Sequence, residues 1–527
     1  MDDGGTDKSV DVEKAIPALV SGHCRGESRS VRLLLASLIL CLCGRFFFPV
    51  DDPDIFWHVT IGRWILSRGK LPTTEQWNFF GLGEVFRAYS WASEVVYALL
   101  EEWFGMVGLW GLQSALALLL IGETCVVWRL FSKSRLIVGS AAIILVFVTD
   151  AFVGPRPQVV TFICFALIPI LASSFLSRGV TRWNAAATAA LFCAWANTHL
   201  AMILGLGYLG GLMFALRRDR AILTAKVLGI GFVGTLCTPY FGGVWLTFLS
   251  TIGHVDHFRD AIVEFEALNT SHFMFPLWLL CASLFVATLA ADKKTLFGRE
   301  RIFETAVTAA FLALGVYAVK FLEFSALASL TFFVRNGSPM ICECLGPFLQ
   351  TRCRWMGRGW GILNASQGGP ICCVILSALL LLCFAADVAV RAQAGPMDRD
   401  LYSRTALDFV FEQGLPLPIL TDFSNGGYLM YRLSDASGNV THPVAIDGRT
   451  NILSPELADA YYRMEAGRDG WSSFIDSYAP GTIVWPTSRN ATLVRLLRRS
   501  NTWCERLEGE SEGRGYSVFV RCGGEAP

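Results

Sequence analysis

Long apolar runs alternate with short polar segments along most of the chain. A membrane-spanning helix needs roughly 20 mostly apolar residues, and about eleven stretches meet that requirement. They lie near 31–50, 107–128, 136–153, 158–177, 183–201, 202–216, 227–250, 273–291, 303–322, 324–350 and 370–391. Because Lys320, Glu323 and Arg335 interrupt the ninth and tenth runs, a broken helix is expected there. The pattern predicts a polytopic α-helical membrane protein.

Beyond residue 392 the pattern changes to short β-like runs separated by helix-like stretches. The β-like runs are Pro418–Thr421, Pro443–Ile446, Gly481–Trp485 and Tyr516–Arg521. Alternation of this kind predicts a small α/β domain. Three parts are therefore expected: a polar tail at 1–30, a transmembrane domain at 31–391 whose first outer loop is 51–106, and a soluble α/β domain at 392–527.

Basic clusters fall in every second loop between the apolar runs. They are Arg129/Lys133/Arg135, Arg178/Arg182, Arg217/Arg218/Arg220/Lys226, Lys293/Lys294/Arg299/Arg301 and Arg352/Arg354/Arg358. Since Lys and Arg are retained on the cytoplasmic side, the alternation predicts a cytoplasmic N-terminus. The 51–106 loop, the 251–272 loop and the C-terminal domain are then extracytoplasmic. A single miscounted run in 303–350 would move only the C-terminal domain to the other side.

Composition agrees with the membrane class and narrows the chemistry. The 527 residues are 53% hydrophobic and 17% charged, against about 25% charged residues in soluble proteins. The formal net charge is zero, so there is no bulk basic signature for nucleic acid. Most of the 16 cysteines lie in apolar runs, where cysteine acts as a small hydrophobe. Cys504 and Cys522 flank the last strand-like run and would pair only in an oxidising compartment, so their pairing stays open.

The first outer loop begins with a cluster of acidic residues beside the apolar run. Asp51, Asp52 and Asp54 crowd together, and close carboxylates repel, so one of them is expected to have a raised pKa or to bind a cation. Pro53 disfavours a helical conformation at Asp52. A helix is expected to begin after it, at about Ile55. His58 follows Asp54 by four residues and shares its helix face. The alternative is a plain helix start stabilised by acidic side chains.

A set of motifs in fixed order resembles bacterial integral-membrane proteins of the C-type glycosyltransferase (GT-C) superfamily. More distant relatives there are protein O-mannosyltransferases, oligosaccharyltransferases and aminoarabinose transferases. The motifs span nearly the whole chain, and they are Asp52-Pro-Asp54-x-x-Trp57-His58-x-x-x-Gly62-Arg63, Trp91-x-x-Glu94, Gly154-Pro-Arg156-Pro157-Gln158, Trp195-Ala-Asn197-x-His199, Thr238-Pro239-Tyr240-x-Gly242, Val263-Glu264-Phe-Glu266, Asp422-x-x-Asn425-Gly426-Gly427-Tyr428-Leu429 and Ile446-Asp447-Gly448-Arg449. One departure is Phe56, where relatives often carry a second tryptophan.

The resemblance implies transfer of a sugar from a polyprenyl-phosphate carrier to a glycan, lipid or protein acceptor. The reaction would take place at the extracytoplasmic face of a bacterial inner membrane, in the synthesis of a cell-envelope polysaccharide or a related conjugate. In such enzymes a carboxylate of the first outer loop is catalytic or binds a metal. Here Asp54 is the predicted general base, and Asp52 orients it or binds Mg²⁺ or Mn²⁺ together with it. Inversion at the sugar is expected, because no second nucleophile is evident.

Further residues are candidates for holding the substrates, each with a structural alternative. Positive charge for the lipid phosphate is expected from Arg63, Arg156 and Arg335; Arg156 could equally be an interfacial anchor. Glu94 is either a second carboxylate of the site or solvated. Other candidates, which could equally be architectural, are His58, Asn197, His199, Glu264, Asp447 and Arg449. The pair Gly426-Gly427 is expected in a turn between a strand and a helix.

Two other functions compete with glycosyl transfer. A transporter or flippase of lipid-linked sugars would also have many helices with polar residues among them. Such proteins usually show inverted repeats with broken helices in both halves, and no such symmetry is visible. A non-catalytic membrane scaffold that binds a polysaccharide through the C-terminal domain is the second alternative.

Overall fold

The computed structural model describes residues 29–258, 263–292, 297–298, 301–337, 368–397, 403–449, 452, 454–487, 491–511 and 514–523. The predicted tail at 1–30 lies almost wholly outside the described residues, as do Lys293/Lys294, Arg299 and the cluster Arg352/Arg354/Arg358. The architecture below refers to the described residues.

Helices account for most of the chain before residue 394. In chain order they are α1 Arg29–Cys43, α2 Asp54–Arg68, α3 Trp91–Phe104, α4 Met106–Phe131, α5 Arg135–Thr149, α6 Pro157–Arg178, α7 Arg182–Ala196, α8 Met202–Met213, α9 Arg218–Thr235, α10 Gly243–Phe258, α11 Phe275–Ala291, α12 Ile302–Tyr317, α13 Leu322–Asn336 and α14 Gly368–Gln393. Each predicted apolar run contains at least one of these helices. The correspondence follows from the length and apolar character of the runs.

Three of the helices are long and apolar enough to cross a membrane: Met106–Phe131, Pro157–Arg178 and Cys373–Gln393. Four shorter apolar helices accompany them: Ile137–Thr149, Met202–Met213, Phe275–Ala291 and Ile302–Tyr317. These apolar helices fit a membrane protein. The count of about eleven spans stays a prediction, since most described helices are shorter than the roughly 20 residues that a bilayer requires.

One predicted span is wrong as a single helix. The run 227–250 contains the end of α9 at Thr235 and the start of α10 at Gly243, with turns between them. Pro239 lies in this gap, and proline lacks the N–H that a helix interior needs. The break predicted at 303–350 is present, because a 3₁₀ turn at Val319–Phe321 separates α12 from α13.

The bundle has two ends with different side chains. At one end, Asp150 follows α5, Arg156 precedes α6 and Asn197 follows α7. The opposite ends of these helices carry the basic residues Arg135, Arg178 and Arg182. Basic residues from alternate loops of the sequence therefore lie together at one end of the folded bundle. Which end faces the cytoplasm stays a prediction.

The C-terminal residues form a small mixed sheet with helices around it. The helices are α15 Arg404–Glu412, α16 Phe423–Leu433, α17 Pro455–Ala466, α18 Ser472–Tyr478 and α19 Ala491–Arg499, and the strands are β1 Ile419–Leu420, β2 Thr482–Pro486, β3 Trp503–Ser511 and β4 Arg514–Arg521. The sheet order is β1-β2-β4-β3, with β1 parallel to β2 and the other pairs antiparallel. Pro443–Ile446, predicted as a strand, makes only an isolated bridge from Val444 to Asn78. A disulfide joins Cys504 to Cys522.

One hydrophobic core is shared by the first outer loop and the C-terminal residues. Ile55 and Trp64 of α2 pack in the same buried cluster as Tyr428 of α16 and Val484 of β2. Main-chain hydrogen bonds also join Val444 to Trp77 and Phe79. The C-terminal residues therefore lie on the same side as the first outer loop. The helix count in 303–350 does not affect this relationship.

Candidate functional site

Arg156 connects two carboxylates from distant parts of the chain. Its Nε donates to Asp52 Oδ2 and its Nη1 donates to Glu264 Oε1. Asp52 comes directly before α2, Arg156 directly before α6, and Glu264 lies in the 3₁₀ turn Val263–Phe265. Asp52 is 4% exposed, whereas the Glu264 side chain is 42% exposed. The segments before α2 and α6 and the 3₁₀ turn at Val263–Phe265 therefore meet at one point.

Asp54 is the first residue of α2 and lies beside Asp52. Its N–H donates to Asp52 Oδ1 at 2.9 Å, so Asp52 satisfies one of the free backbone donors of the helix start. The helix-start alternative thus explains one oxygen of Asp52, but not the ion pair with Arg156. Asp54 Oδ1 accepts from the Trp57 indole at 3.2 Å, and no second donor to this carboxylate appears among the described residues.

Burial raises the pKa of Asp54 to about 7, and the negative charge of Asp52 acts in the same direction. Arg156 and the Trp57 hydrogen bond act in the opposite direction. A carboxylate that titrates near neutrality can accept a proton at physiological pH. The raised pKa expected from crowded aspartates in this loop is therefore found at Asp54.

A polar pocket of about 240 Å³ opens at this end of the bundle. Its walls include Asp52, Arg156 and Glu264, together with the exposed Asp51. Asp150 also contributes and pairs with Arg45 at 2.5 Å. The apolar lining residues are Phe48, Ala151, Phe152 and Val153. The pocket therefore has room for a small polar group beside the apolar helices. This group would lie next to Asp52, Arg156 and Glu264, which together are called the acid–arginine chain.

His58 and Glu94 form a buried pair one helical turn beyond Asp54. His58 Nδ1 lies 3.4 Å from Glu94 Oε1, and both side chains are at most 5% exposed. Burial raises the pKa of Glu94 to about 8, and burial with the charge of Arg156 holds the pKa of His58 well below its usual value. Both groups are therefore uncharged at neutral pH, which fits a Glu94 hydroxyl donating to His58 Nδ1. Glu94 is thus buried in the site and not solvated.

His199 and Lys320 complete the polar residues around the acid–arginine chain. His199 Nδ1 accepts from the Ala201 N–H at 3.3 Å and lies 2.9 Å from Thr161 Oγ1. This arrangement places the ring proton on Nε2. Lys320 Nζ lies 3.7 Å from the centre of the Phe265 ring and interacts electrostatically with Glu264 and His199. Lys320 was predicted only to interrupt a helix. A lone lysine in an apolar run was nevertheless a signal that this residue has a functional role.

Asp447 and Arg449 lie next to the site in a closed ionic network. Arg449 binds both oxygens of Asp447 at 2.8 Å and both oxygens of Glu75 at 2.8 and 3.2 Å. All three side chains are at most 1% exposed. Their donors and acceptors are largely used within the network, so their predicted contact with an acceptor stays a prediction. Glu75 was not predicted, because nothing near it in the sequence indicates a partner 374 residues away.

Three candidate residues are not brought into the site. Arg63 pairs with Glu101 at 2.6 Å and stacks on Tyr431, which ties α2 and α3 to α16. Asn197 is engaged by Trp91 at 2.7 Å and by two main-chain carbonyls, as the structural alternative expected.

Arg335, the third, was expected together with Arg156 near the lipid phosphate, but it lies at the opposite end of the bundle. It lies in the last turn of α13, whereas Lys320 precedes the first turn; 15 residues of helix span about 22 Å. Arg335 pairs there with Glu304 at 3.1 Å and lies over Phe131, at the end that carries the basic clusters.

The Gly426-Gly427 pair was expected in a turn, and this expectation is also wrong. The pair lies within α16, near its start. A Cβ at Gly426 would overlap the carbonyl of Ile446, and one at Gly427 would lie 2.9 Å from the carbonyl of Pro53. Close helix packing, and not a turn, therefore explains the two glycines.

The carboxylates of the site do not form a ready metal centre. No group of three or more His, Cys, Asp or Glu side chains in the described part of the chain is arranged to hold a metal ion. Both oxygens of Asp52 already accept hydrogen bonds. Mg²⁺ or Mn²⁺ at Asp52 and Asp54 stays a prediction, and the mechanism below includes no metal step.

Comparison with known proteins adds a structural likeness. No protein-family model and no curated protein matches the chain. The crystal structure of the Archaeoglobus fulgidus oligosaccharyltransferase in the apo form is similar to it, with a TM-score of 0.47 and 10% sequence identity. The match covers 87% of this chain and 69% of the archaeal one. The values are too low to establish fold or function, and the functional argument therefore depends on the site itself.

Proposed function

We propose that this protein is a membrane glycosyltransferase that moves a sugar from a polyprenyl-phosphate carrier to an acceptor hydroxyl. The observation that carries the proposal is Asp54. It is a partly buried carboxylate with a pKa of about 7, and its N–H donates to Asp52, which lines an arginine-containing polar pocket at the end of an apolar bundle. A lipid carrier would place its chain along the helices and its head group in such a pocket.

Asp54 acts as the general base in the proposed reaction. Its carboxylate takes the proton from the acceptor hydroxyl while the hydroxyl oxygen attacks the anomeric carbon. The bond from that carbon to the phosphate oxygen breaks, and its electron pair leaves with the lipid phosphate. One displacement of this kind inverts the anomeric configuration. Asp52 fixes the start of α2 through the Asp54 N–H and keeps Arg156 in place.

Arg156 and Lys320 hold the leaving phosphate. A guanidinium can bind a phosphate through two parallel hydrogen bonds, and it remains charged at every physiological pH. Glu264, which is the more exposed partner of Arg156, moves aside or shares the guanidinium when the phosphate enters. His58 and His199 lie behind these groups, where His58 interacts electrostatically with both Arg156 and His199.

The proposal also names a carrier and a compartment. The bilayer is a partner of the apolar helices, and the donor is a polyprenyl-phosphate sugar. The acceptor is a glycan, lipid or protein hydroxyl at the extracytoplasmic face of a bacterial inner membrane. A disulfide in the C-terminal sheet supports that side, because disulfides persist in oxidising compartments.

The test is transfer by the purified chain in lipid nanodiscs, supplied with labelled polyprenyl-phosphate sugars and soluble acceptors. Asp54→Asn should lower the transfer rate by about 100-fold or more, since general-base catalysis contributes roughly 10²–10⁴-fold. Asp219→Asn, an exposed carboxylate at the start of α9, is the matched control and should transfer normally. Full transfer by both Asp54→Asn and Asp52→Asn would refute the base assignment. If the wild-type chain transfers from no donor but carries the lipid-linked sugars across vesicles, the flippase alternative replaces the proposal.

A further inference from the structure

Two glycines of the C-terminal residues lie directly against the catalytic helix start. A Cβ at Gly448 would overlap Asp54 Oδ1 and lie 3.5 Å from Trp57 Nε1. A Cβ at Gly427 would lie 2.9 Å from the Pro53 carbonyl and 3.2 Å from Trp57 Cδ1. The main chain at both positions therefore covers Asp54 and its hydrogen-bond donor at a distance that only glycine permits.

The segment that carries Gly448 is held rigidly from both sides. Asp447 and Arg449 form the buried network with Glu75. Glu75 in turn accepts the main-chain N–H groups of Trp77 and Asn78 at 2.7 and 2.9 Å. Since a buried ion pair is costly to separate, the segment has little freedom to move away from Asp54.

The docking extends well beyond this segment. The Trp77 indole donates to the Gly438 carbonyl at 2.9 Å, and Arg63 and Glu101 of the first loop both contact Tyr431 of α16. These contacts join the C-terminal residues to the same loop that carries Asp54. The site and its cover thus come from opposite ends of the chain.

We propose that the segment Ile446–Arg449 is a positioning element that fixes the Asp54 carboxylate and shields it from water, so that the site is complete only when the C-terminal residues are docked. The inference rests on the proposed function for its catalytic meaning. The predicted role of Asp447 and Arg449 was contact with the acceptor; here they act through Gly448 on Asp54. Gly448 supplies the close approach, and Arg449 with Glu75 supplies the rigidity.

Access to position 54 tests the proposal without any sugar donor. In an Asp54→Cys chain, the reaction of the introduced thiol with a small maleimide is followed by mass spectrometry of the peptide that contains it. Adding Gly426→Ala should push the segment away, because a Cβ there would overlap the Ile446 carbonyl, and should raise the labelling rate by about tenfold or more. Adding Gly481→Ala is the matched control. There a Cβ meets Pro416 at 2.7 Å, within the C-terminal sheet region, so crowding is similar but position 54 should label as slowly as before.

Transfer kinetics provide the second measurement. With Asp54 in place, Gly448→Ala should lower kcat with little change in the KM of the lipid donor, whereas Gly481→Ala should leave both unchanged. Equal labelling of the introduced thiol with and without Gly426→Ala, in chains with equal melting temperatures, overturns the positioning role. If no donor is ever used but Gly426→Ala still exposes position 54, the proposed function fails and the structural cover stands.

Discussion

Arg156 donates to Asp52 across 104 residues of sequence, and the same guanidinium reaches Glu264 with its other side. This relationship joins the first outer loop to the bundle and supplies the positive charge of the pocket. It also makes Arg156 the cation that balances the charge of Asp52, whose side chain is almost fully buried.

Replacing Arg156 should affect both donor binding and stability. Arg156→Lys keeps a positive charge, but it cannot satisfy two carboxylates with the geometry of a guanidinium. Arg156→Gln leaves Asp52 buried without a cation. We expect a higher KM for the lipid donor in both variants and a lower melting temperature chiefly in Arg156→Gln. An unchanged donor KM in Arg156→Gln would show that the lipid phosphate binds elsewhere.

The pH dependence of transfer should report the ionisation of Asp54. Since its pKa is raised to about 7, the basic form is scarce at pH 6 and predominant at pH 8. The rate should therefore rise by about tenfold between these values, in proportion to the ionised fraction. Single-turnover rates over pH 5 to 9 measure the profile. A base with an ordinary aspartate pKa would instead give a constant rate above about pH 5.

Substitutions at Lys320 and Arg335 provide a test and its control, because the two residues lie at opposite ends of α13. Lys320→Met should raise the donor KM by about tenfold, because it removes a charge-assisted contact to phosphate. Arg335→Met should leave the donor KM unchanged and lower the melting temperature, since Glu304 loses a partner at 3.1 Å. The opposite result would return Arg335 to the donor site.

The network around Arg449 should be worth far more than a surface ion pair. Arg449→Met leaves Glu75 and Asp447 buried without a cation, and removing one partner of a buried pair costs roughly 3–5 kcal/mol. Arg463→Met, at an exposed pair with Asp459, should cost less than about 1 kcal/mol. Denaturant unfolding followed by limited proteolysis of the C-terminal residues compares the two. Equal sensitivity would mean that the network contributes little to docking.

The disulfide should reveal both stability and compartment. Replacing Cys504 and Cys522 by serine removes a cross-link over 18 positions, which costs about 3 kcal/mol of stability in the chain-entropy model. In intact bacterial cells the two cysteines should resist maleimide until a reductant is added. Immediate labelling of both thiols would show that the disulfide does not form in the cell, and it would remove this support for an oxidising compartment.

Sequence reasoning located the elements of the site whose causes are local. Pro53 and the following apolar spacing predicted a helix start near Asp54, and the four-residue interval placed His58 on the same face. The crowding of Asp52 and Asp54 predicted a raised pKa or a bound cation; the pKa of Asp54 is raised, with burial as the larger cause and the charge of Asp52 as the second. Each of these features depends on residues within one or two helical turns.

The features that sequence reasoning missed depend on long-range packing. In the sequence, Lys320 and Arg335 are both basic residues that interrupt apolar runs. The structure separates them, because they lie at opposite ends of α13. Gly448 resembles a turn glycine until Asp54 is placed against it. Pro239 was a local signal for a helix break, but the long apolar run around it led to the prediction of one continuous helix. The structure has the break at this proline, between α9 and α10.

The union of Glu75 with Arg449 has a consequence for biosynthesis. During translation Glu75 leaves the ribosome 374 positions before Arg449. For most of its synthesis the nascent chain therefore contains Glu75 without the arginine that pairs with it in the folded protein. A truncated product would keep its helices but lack the cover over Asp54. Under the proposed function, the site around Asp54 is complete only after residues 446–449 have been synthesised and have docked against it.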